Sequence, residues 1–158
     1  MTATLPLRIQ VNGRSYEHEV EPRKTLADFL RDDLGLKGIH LSCEHGFCGN
    51  CNVLLDGEAV RSCLMFAIQA GGRSVETVES LAGPGGELND LQQAFTEHHA
   101  LQCGFCTPAM LLTAQEFLRE NPGETDDTAI REAISGVICR CTGYQQIVEA
   151  IQSVAAHS

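Results

Sequence analysis

The chain has 158 residues, enough for one large domain or two small ones. Hydrophobic residues make up 43% and charged residues 20%, as expected of a globular protein. The net charge of −10 argues against nucleic-acid binding, and the longest apolar run, residues 63–68, is too short for a membrane span.

The first half of the chain predicts a small mixed sheet crossed by one helix. Leu5–Val11 alternates apolar and polar residues, and Asn12-Gly13 is a type I′ turn sequence that leads to a second strand at 15–20. The same reasoning predicts three further strands, at residues 52–56, 58–63 and 74–78.

Helices are predicted from capping residues and from apolar residues at helical spacing. In the first half, Thr25 caps a helix that carries Leu26, Phe29 and Leu30 on one face, with Gly35 just past its end. The glycine-rich stretch 82–86 is predicted to be a linker, so the domains are assigned to residues 1–80 and 81–158. Four helices follow, marked by Leu88, Leu91 and Phe95, by Thr107 and Pro108, by Thr125, Asp126 and Asp127, and by the stretch 144–156.

The linker divides the eight cysteines equally. Residues 1–8 contain no basic region followed by an apolar run, so no signal peptide is predicted and the expected compartment is the cytoplasm. Cytoplasmic cysteines more often bind metal or do redox chemistry than form disulfides, which are the alternative interpretation. The two groups are Cys43, Cys48, Cys51 and Cys63, and Cys103, Cys106, Cys139 and Cys141.

The first group has the spacing of plant-type ferredoxins, C-x4-C-x2-C followed by a distant cysteine. Gly46 and Gly49 lie inside this loop, where they allow tight turns and direct backbone N–H groups at an anionic cluster. Zinc is the alternative, but zinc ribbons pair two close C-x2–4-C units, whereas three of these cysteines crowd one loop. A Rieske centre would use His45, and no C-x2-H sequence supplies its second histidine. A [2Fe–2S] cluster is therefore predicted here.

The second group consists of two close pairs, each directly before a predicted helix. Cys103-Gly104-Phe105-Cys106 precedes one helix, and Cys139-Arg140-Cys141 precedes another. Helix N-termini expose free N–H groups and a positive dipole end, which suit an anionic cluster, and Gly104 contributes loop backbone. A lone C-x-x-C can be a thioredoxin-like motif, but that motif needs a βαβ setting that is not predicted here. Four converging thiolates predict a second [2Fe–2S] cluster.

Three strings in this order resemble the small iron–sulfur subunit of the xanthine dehydrogenase and aerobic carbon monoxide dehydrogenase family of molybdenum hydroxylases. They are Cys43-Glu44-His45-Gly46-Phe47-Cys48-Gly49-Asn50-Cys51, Gln102-Cys103-Gly104-Phe105-Cys106-Thr107-Pro108 and Cys139-Arg140-Cys141-Thr142-Gly143-Tyr144. The resemblance covers nearly the whole chain. It implies an α+β fold, with an N-terminal plant-type ferredoxin-like (β-grasp) domain and a C-terminal four-helix bundle that holds the second cluster.

The resemblance also implies partners and a direction of electron flow. A large subunit would hold a molybdenum–pterin cofactor in the cytosine dinucleotide form, and a medium subunit would hold FAD, in a dimer of heterotrimers. Electrons would pass from molybdenum to the helical-domain cluster, then to the ferredoxin-domain cluster and on to FAD. Gln102 and Cys141 match the positions that lie against the pterin. The chain would thus be a non-catalytic relay subunit of an oxidoreductase.

The chain departs from the family pattern at three positions. Ala109 stands where glycine is usual, and its extra methyl group is expected to be tolerated. Asn50 and Asn52 flank Cys51, where the family commonly has a small residue and a threonine. Asn50 is predicted to donate a hydrogen bond near the first cluster and so to shift its reduction potential.

Two other functions stay open from the residues alone. A free two-cluster ferredoxin would shuttle between unrelated partners, and a zinc-stabilised interaction module would carry no electrons. No catalytic constellation is evident, because His40, His98, His99 and His157 have no partner pattern and are expected in surface or capping roles. Catalysis is therefore assigned to a partner.

Overall fold

The computed structural model of the protein describes residues 3–157, and a five-stranded mixed sheet forms its first half. The order is β2-β1-β5-β3-β4, with β1 and β5 parallel and the other neighbours antiparallel. Asn12 and Gly13 both have positive φ, as a type I′ turn requires. The strands are β1 Leu5–Val11, β2 Arg14–Val20, β3 Asn52–Leu55, β4 Glu58–Arg61 and β5 Ser74–Glu76.

One short helix packs against the sheet. It begins as α1, Leu26–Asp28, and continues as a π turn over Phe29–Asp33. Thr25 caps it as predicted, since its hydroxyl accepts a hydrogen bond from the backbone N–H of Asp28. The sheet and this helix enclose the first hydrophobic core, to which Phe29 contributes a fully buried ring.

Four helices form the second half and confirm the predicted α+β fold with a helical C-terminal part. They surround a second core that includes Phe95, Met110 and Ile151. No helix within residues 3–157 has the length and apolar character needed to cross a bilayer. The helices are α2 Asp90–Glu97, α3 Thr107–Glu120, α4 Asp127–Ile134 and α5 Gln145–Ala155.

The second helix begins later than its apolar residues suggest. Leu88 lies before α2 and is exposed, so its assignment to this helix was wrong. The start is fixed by Asn89 and Gln92, whose side chains each accept a hydrogen bond from the other's backbone N–H. This capping box satisfies two N–H groups that an earlier start would leave without partners.

Two other helix starts also differ by one residue from the prediction. Cys106, not Thr107, occupies the N-cap position of α3, and Thr107 is the first helical residue. Asp126, not Thr125, caps α4, because its carboxylate accepts a hydrogen bond from the N–H of Ala129. A carboxylate also interacts favourably with the positive end of the helix dipole, which explains the preference.

The last two strands are shorter than predicted. The predicted strand 74–78 ends at Glu76, and 58–63 ends at Arg61. Cys63 therefore lies on the 3-10 turn Ser62–Leu64 and not on the hairpin strand. The turn redirects the chain, so Cys63 reaches the loop of the other three cysteines from outside the sheet.

β3 is buried on both faces and belongs to both cores. Val53 and Leu55 pack in the first core, and Leu54 between them packs in the second. Successive side chains of a strand point to opposite faces, so a strand that lies between two cores needs an unbroken apolar run. β3 thus joins the two halves of the protein through packing.

Candidate functional site

The first group of cysteines lies on one irregular loop and the turn beside it. The loop, residues 43–51, leads directly into β3, and Cys63 follows β4 on the adjacent turn. The backbone N–H of Cys48 donates a hydrogen bond to the Cys43 sulfur at 3.3 Å. Glu44 and Gly46 both have positive φ, which is how the loop turns tightly enough to direct such N–H groups inward.

The pKa values of Cys43 and Cys63 are shifted in part by the other cysteines of this group. Hydrogen bonds from the backbone of His45 and then Cys48 lower the pKa of Cys43 to about 6. Burial, followed by the side chain and charge of Cys51 and, least of these, the charge of Cys43, raises the pKa of Cys63 to about 11. The four side chains therefore share one site, which stabilises a thiolate at one end and resists charge at the other.

The second group brings its two pairs together ahead of the N-terminal ends of α3 and α5. The sulfurs of Cys103 and Cys141 lie 3.5 Å apart. Burial, followed by the side chain of Cys139, raises the pKa of Cys106 to about 12. Burial opposes ionisation of Cys139 as well, but hydrogen bonds from Thr142, whose hydroxyl donates to the sulfur at 3.1 Å, leave its pKa lowered.

All three predicted cluster-loop glycines have a positive φ, and at two of them a side chain would also collide with neighbouring atoms. A Cβ on Gly46 would overlap the Leu64 side chain. A Cβ on Gly49 would overlap the carbonyl oxygen of Gly136 and lie 3.1 Å from the Cα of Val137. Gly104 has a φ of +81° with open space around it, so its backbone conformation alone favours glycine.

Sequence reasoning missed three residues that shape the second site. The phenol of Tyr144 accepts a hydrogen bond from the Cys139 N–H at 2.8 Å and reaches the Val137 carbonyl at 3.3 Å. His40, from the first half, stacks on Phe105 and contacts its carbonyl oxygen at 2.7 Å. Thr142 holds Cys139 as described above. Of the three, only Thr142 and Tyr144 carried a signal, because they adjoin the last cysteine motif.

The two cysteine loops touch each other at a contact that we call the loop junction, formed by residues 48–49, Arg61 and residues 136–138. The carbonyl oxygen of Cys48 accepts a hydrogen bond from the Ile138 N–H at 2.8 Å. Ile138 immediately precedes Cys139. A single hydrogen bond thus joins a cysteine of the first group to the residue next to a cysteine of the second.

Exposure differs between the inner and outer cysteines. Cys48, Cys51 and Cys106 are buried, whereas Cys103 and Cys141 are exposed. Gln102, which adjoins Cys103, is also exposed. The second group therefore has an edge open to solvent, and the first group has a partly exposed edge at Cys43 and Cys63.

The donor set suits a two-iron cluster. Within each group the sulfurs approach one another in pairs: Cys51 with Cys63 in the first group, and Cys103 with Cys141 in the second. In a [2Fe–2S] cluster each iron takes two thiolates, which is the arrangement that pairs provide. Within residues 3–157, no group of three or more His, Cys, Asp or Glu side chains is arranged around one ion position.

Asn50 is enclosed in the first cysteine loop. Its side chain is 6% exposed, and among residues 3–157 its Oδ1 atom has no hydrogen-bond partner. The predicted donor is the Nδ2 group of the same amide, and we expect Asn50→Ala to lower the potential of the first cluster by on the order of tens of millivolts, because a donor beside the cluster stabilises the reduced form. EPR-monitored redox titration measures this, with the second cluster in the same sample as control. An unchanged first potential would show that Asn50 plays no such part.

Comparisons with known proteins match each half of the chain to a family of [2Fe–2S]-binding domains. The family described as "2Fe-2S iron-sulfur cluster binding domain" matches residues 9–76, and "[2Fe-2S] binding domain" matches residues 77–152. The 6-hydroxypseudooxynicotine dehydrogenase complex subunit beta of Paenarthrobacter nicotinovorans is 56% identical, over 91% of this chain and 89% of its own. The caffeine dehydrogenase subunit gamma of Pseudomonas sp. (strain CBB1) is 54% identical, over 94% of this chain and 90% of its own.

A solved structure gives the same result. The quinoline 2-oxidoreductase of Pseudomonas putida 86 contains a chain that superposes with a TM-score of 0.93 at 49% identity. The match covers 98% of this protein and 94% of that chain. The chain therefore belongs to the family of small two-cluster iron–sulfur subunits of the xanthine dehydrogenase type of molybdenum hydroxylases.

Proposed function

We propose that this protein carries electrons from a molybdenum–pterin site to FAD through two [2Fe–2S] clusters, one in each half. When bound, each cluster takes up and releases one electron at a time. The ligands are Cys43, Cys48, Cys51 and Cys63 for the first cluster, and Cys103, Cys106, Cys139 and Cys141 for the second.

The observation that carries this proposal is the loop junction between two sites that each keep an exposed edge. The hydrogen bond from Ile138 to Cys48 brings the two cysteine loops into direct contact. Cys141 is exposed at one site and Cys43 is partly exposed at the other. An electron that enters at one exposed edge can therefore leave at the other after a short passage through protein, without entering solvent.

The surrounding groups make each site able to hold added negative charge. Each reduction adds one negative charge to a cluster that is already anionic, so donors near the thiolates stabilise the reduced form. The Cys48 N–H and the Thr142 hydroxyl are such donors, at 3.3 Å and 3.1 Å from cysteine sulfurs. Tyr144 fixes the Cys139 backbone, which keeps the second loop in its conformation.

We assign the exposed edge of the second site to the molybdenum partner. Gln102 and Cys141 would contact the pterin, in its cytosine dinucleotide form, on a large subunit, and their exposure supports this. A medium subunit with FAD would face the first site, in a cytoplasmic dimer of heterotrimers. The division at residues 1–80 and 81–158 is supported by the two hydrophobic cores, the first formed within residues 1–80 and the second mainly by residues 81–158, with Leu54 of β3 added to it.

The names of the relatives suggest the substrate class of the large subunit. Caffeine, quinoline and 6-hydroxypseudooxynicotine all contain nitrogen in an aromatic ring. We therefore place the oxidation of an N-heteroaromatic compound at the partner's molybdenum site, with this chain removing the electrons.

The test is chemical analysis of the purified complex. We expect about four iron atoms and about four acid-labile sulfides per copy of this chain, together with two larger co-purifying chains. Anaerobic addition of quinoline or caffeine should then bleach the visible absorbance of the oxidised clusters. Zinc in place of iron, or cysteines joined as disulfides, would overturn the cluster assignment. An iron-loaded chain that purifies alone would instead support the free ferredoxin.

A further inference from the structure

Arg61 connects the two cysteine groups from a position in neither motif. It ends β4 two residues before Cys63. Its guanidinium donates a hydrogen bond to the carbonyl oxygen of Gly136 at 3.0 Å. Gly136 in turn lies three residues before Cys139, so this one side chain connects the chain segments that carry a cysteine of each group.

Two groups approach the Gly136 carbonyl. The Arg61 guanidinium donates a hydrogen bond to its oxygen, and the backbone of Gly49 lies so near that an added Cβ would overlap the same oxygen. Val137 and Ile138 follow Gly136 in the chain, and the backbone N–H of Ile138 donates a hydrogen bond to the carbonyl oxygen of Cys48. Arg61 therefore fixes the segment that carries the backbone contact between the two loops.

The residues around Arg61 restrict the conformations that its side chain can adopt. Arg61 pairs with Asn52 across the β3–β4 hairpin, and Asn52 donates to the Thr113 hydroxyl of α3 at 3.1 Å. Both polar side chains thus reach across to the helical half. The Nε atom of Arg61 is buried. Immobilising a long charged side chain against a neutral carbonyl costs conformational entropy and desolvation, and the hydrogen bond to Gly136 offsets part of that cost only while the two loops stay in contact.

We propose that Arg61 is a positioning residue for electron transfer between the two clusters. By holding the Gly136 carbonyl against Gly49, it sets the separation between the ligand loops and hence between the clusters. Electron-transfer rates fall steeply with separation, so a small loosening of this contact slows transfer while leaving both clusters bound. This inference rests on the proposed function, because it requires that both cysteine groups hold clusters.

A second arginine offers a matched control. Arg119, at the end of α3, donates to the carbonyl oxygen of Gly57 at 2.6 Å, so it also crosses between the two halves. Gly57 lies in the β3–β4 turn, at the far end of the hairpin from Arg61 and Cys63. Arg61→Gln and Arg119→Gln each remove one arginine-to-carbonyl bond between the halves, but only the first lies at the loop junction.

The test compares these two variants in the intact, iron-loaded complex. The magnetic interaction between two reduced clusters decreases steeply with distance, so its splitting in the low-temperature EPR spectrum reports their separation. We expect Arg61→Gln to diminish this splitting and to speed hydrogen exchange at residues 136–138 by about tenfold, as for loss of a charged hydrogen bond. Arg119→Gln should leave both measurements unchanged.

Each outcome decides one question. Iron content near that of the wild type in both variants keeps the proposed function separate from this inference, whereas iron-free wild-type protein would overturn the proposed function itself. Unchanged splitting and exchange in Arg61→Gln, or an equal effect in Arg119→Gln, overturns the role of Arg61. If Arg61→Gln does not accumulate, Arg61→Lys, which keeps the charge but replaces the planar guanidinium with an ammonium group, is compared with Arg119→Lys by the same two measurements.

Discussion

Cys141→Ala is expected to abolish the second cluster and leave the first intact, so that iron falls from about four to about two atoms per chain. Cys141 is exposed, so its removal leaves no cavity in the core, and any loss of iron follows from the missing ligand. Iron analysis and the EPR signal of the remaining cluster measure the result. Because the second cluster is the proposed entry point, reduction of FAD by substrate in the complex should cease.

The matched variant is Cys43→Ala at the partly exposed edge of the first site. It should remove the other half of the iron and leave the complementary EPR signal. The two variants together test whether the cysteines form two separate groups. If one substitution removed all the iron from a chain that stays folded, or if neither removed any, the division into two groups of four would be wrong.

Gly49→Ala is expected to be the most destabilising single-methyl change in the loop junction. Gly49 has a φ of +71°, and the added Cβ would overlap the backbone carbonyl of Gly136, which cannot move without displacing the segment before Cys139. Left-handed strain of about 1–2 kcal/mol and overpacking of about 1–3 kcal/mol together predict a loss of about 2–5 kcal/mol in the free energy of unfolding. Denaturant unfolding of the iron-loaded protein measures it.

Gly72→Ala separates these two contributions. Gly72 has a similar φ of +76°, but nothing lies within 4 Å of the position of its Cβ. The free energy of unfolding of this variant should therefore fall only by the cost of the backbone strain, about 1–2 kcal/mol. Equal losses in the two variants would show that the close approach of Gly49 to Gly136 is unimportant for stability.

The sequence predicted the parts of the site that depend on local spacing. The C-x4-C-x2-C loop and the two pairs before helices divided the eight cysteines into two predicted ligand sets, and the structure brings the Cys103 and Cys141 sulfurs of the second set to 3.5 Å from each other. The N-terminal hairpin was predicted because Asn12-Gly13 determines its turn through backbone conformation alone. Such features need only a few consecutive residues to be specified.

The features that the sequence did not predict depend on contacts between distant segments. Arg61 and Gly136 are 75 residues apart, and no local pattern marks either of them as a partner of the other. His40 was expected in a surface role, yet it stacks on Phe105 of the opposite half. Leu88 fits the helical period but lies outside the helix, because the Asn89–Gln92 capping box outweighs periodicity at the helix start.

Because β3 is buried on both faces, the two halves of this protein cannot be separated without exposing apolar surface. A cut near residue 80 would leave Leu54 on one fragment and the apolar pocket that receives it on the other. The first fragment would then expose apolar side chains of β3 that are buried in the intact protein, and exposed apolar strands promote aggregation. The two halves therefore depend on each other for stability, and grafting the helical half onto another ferredoxin would require transferring the Leu54 face of this hairpin with it.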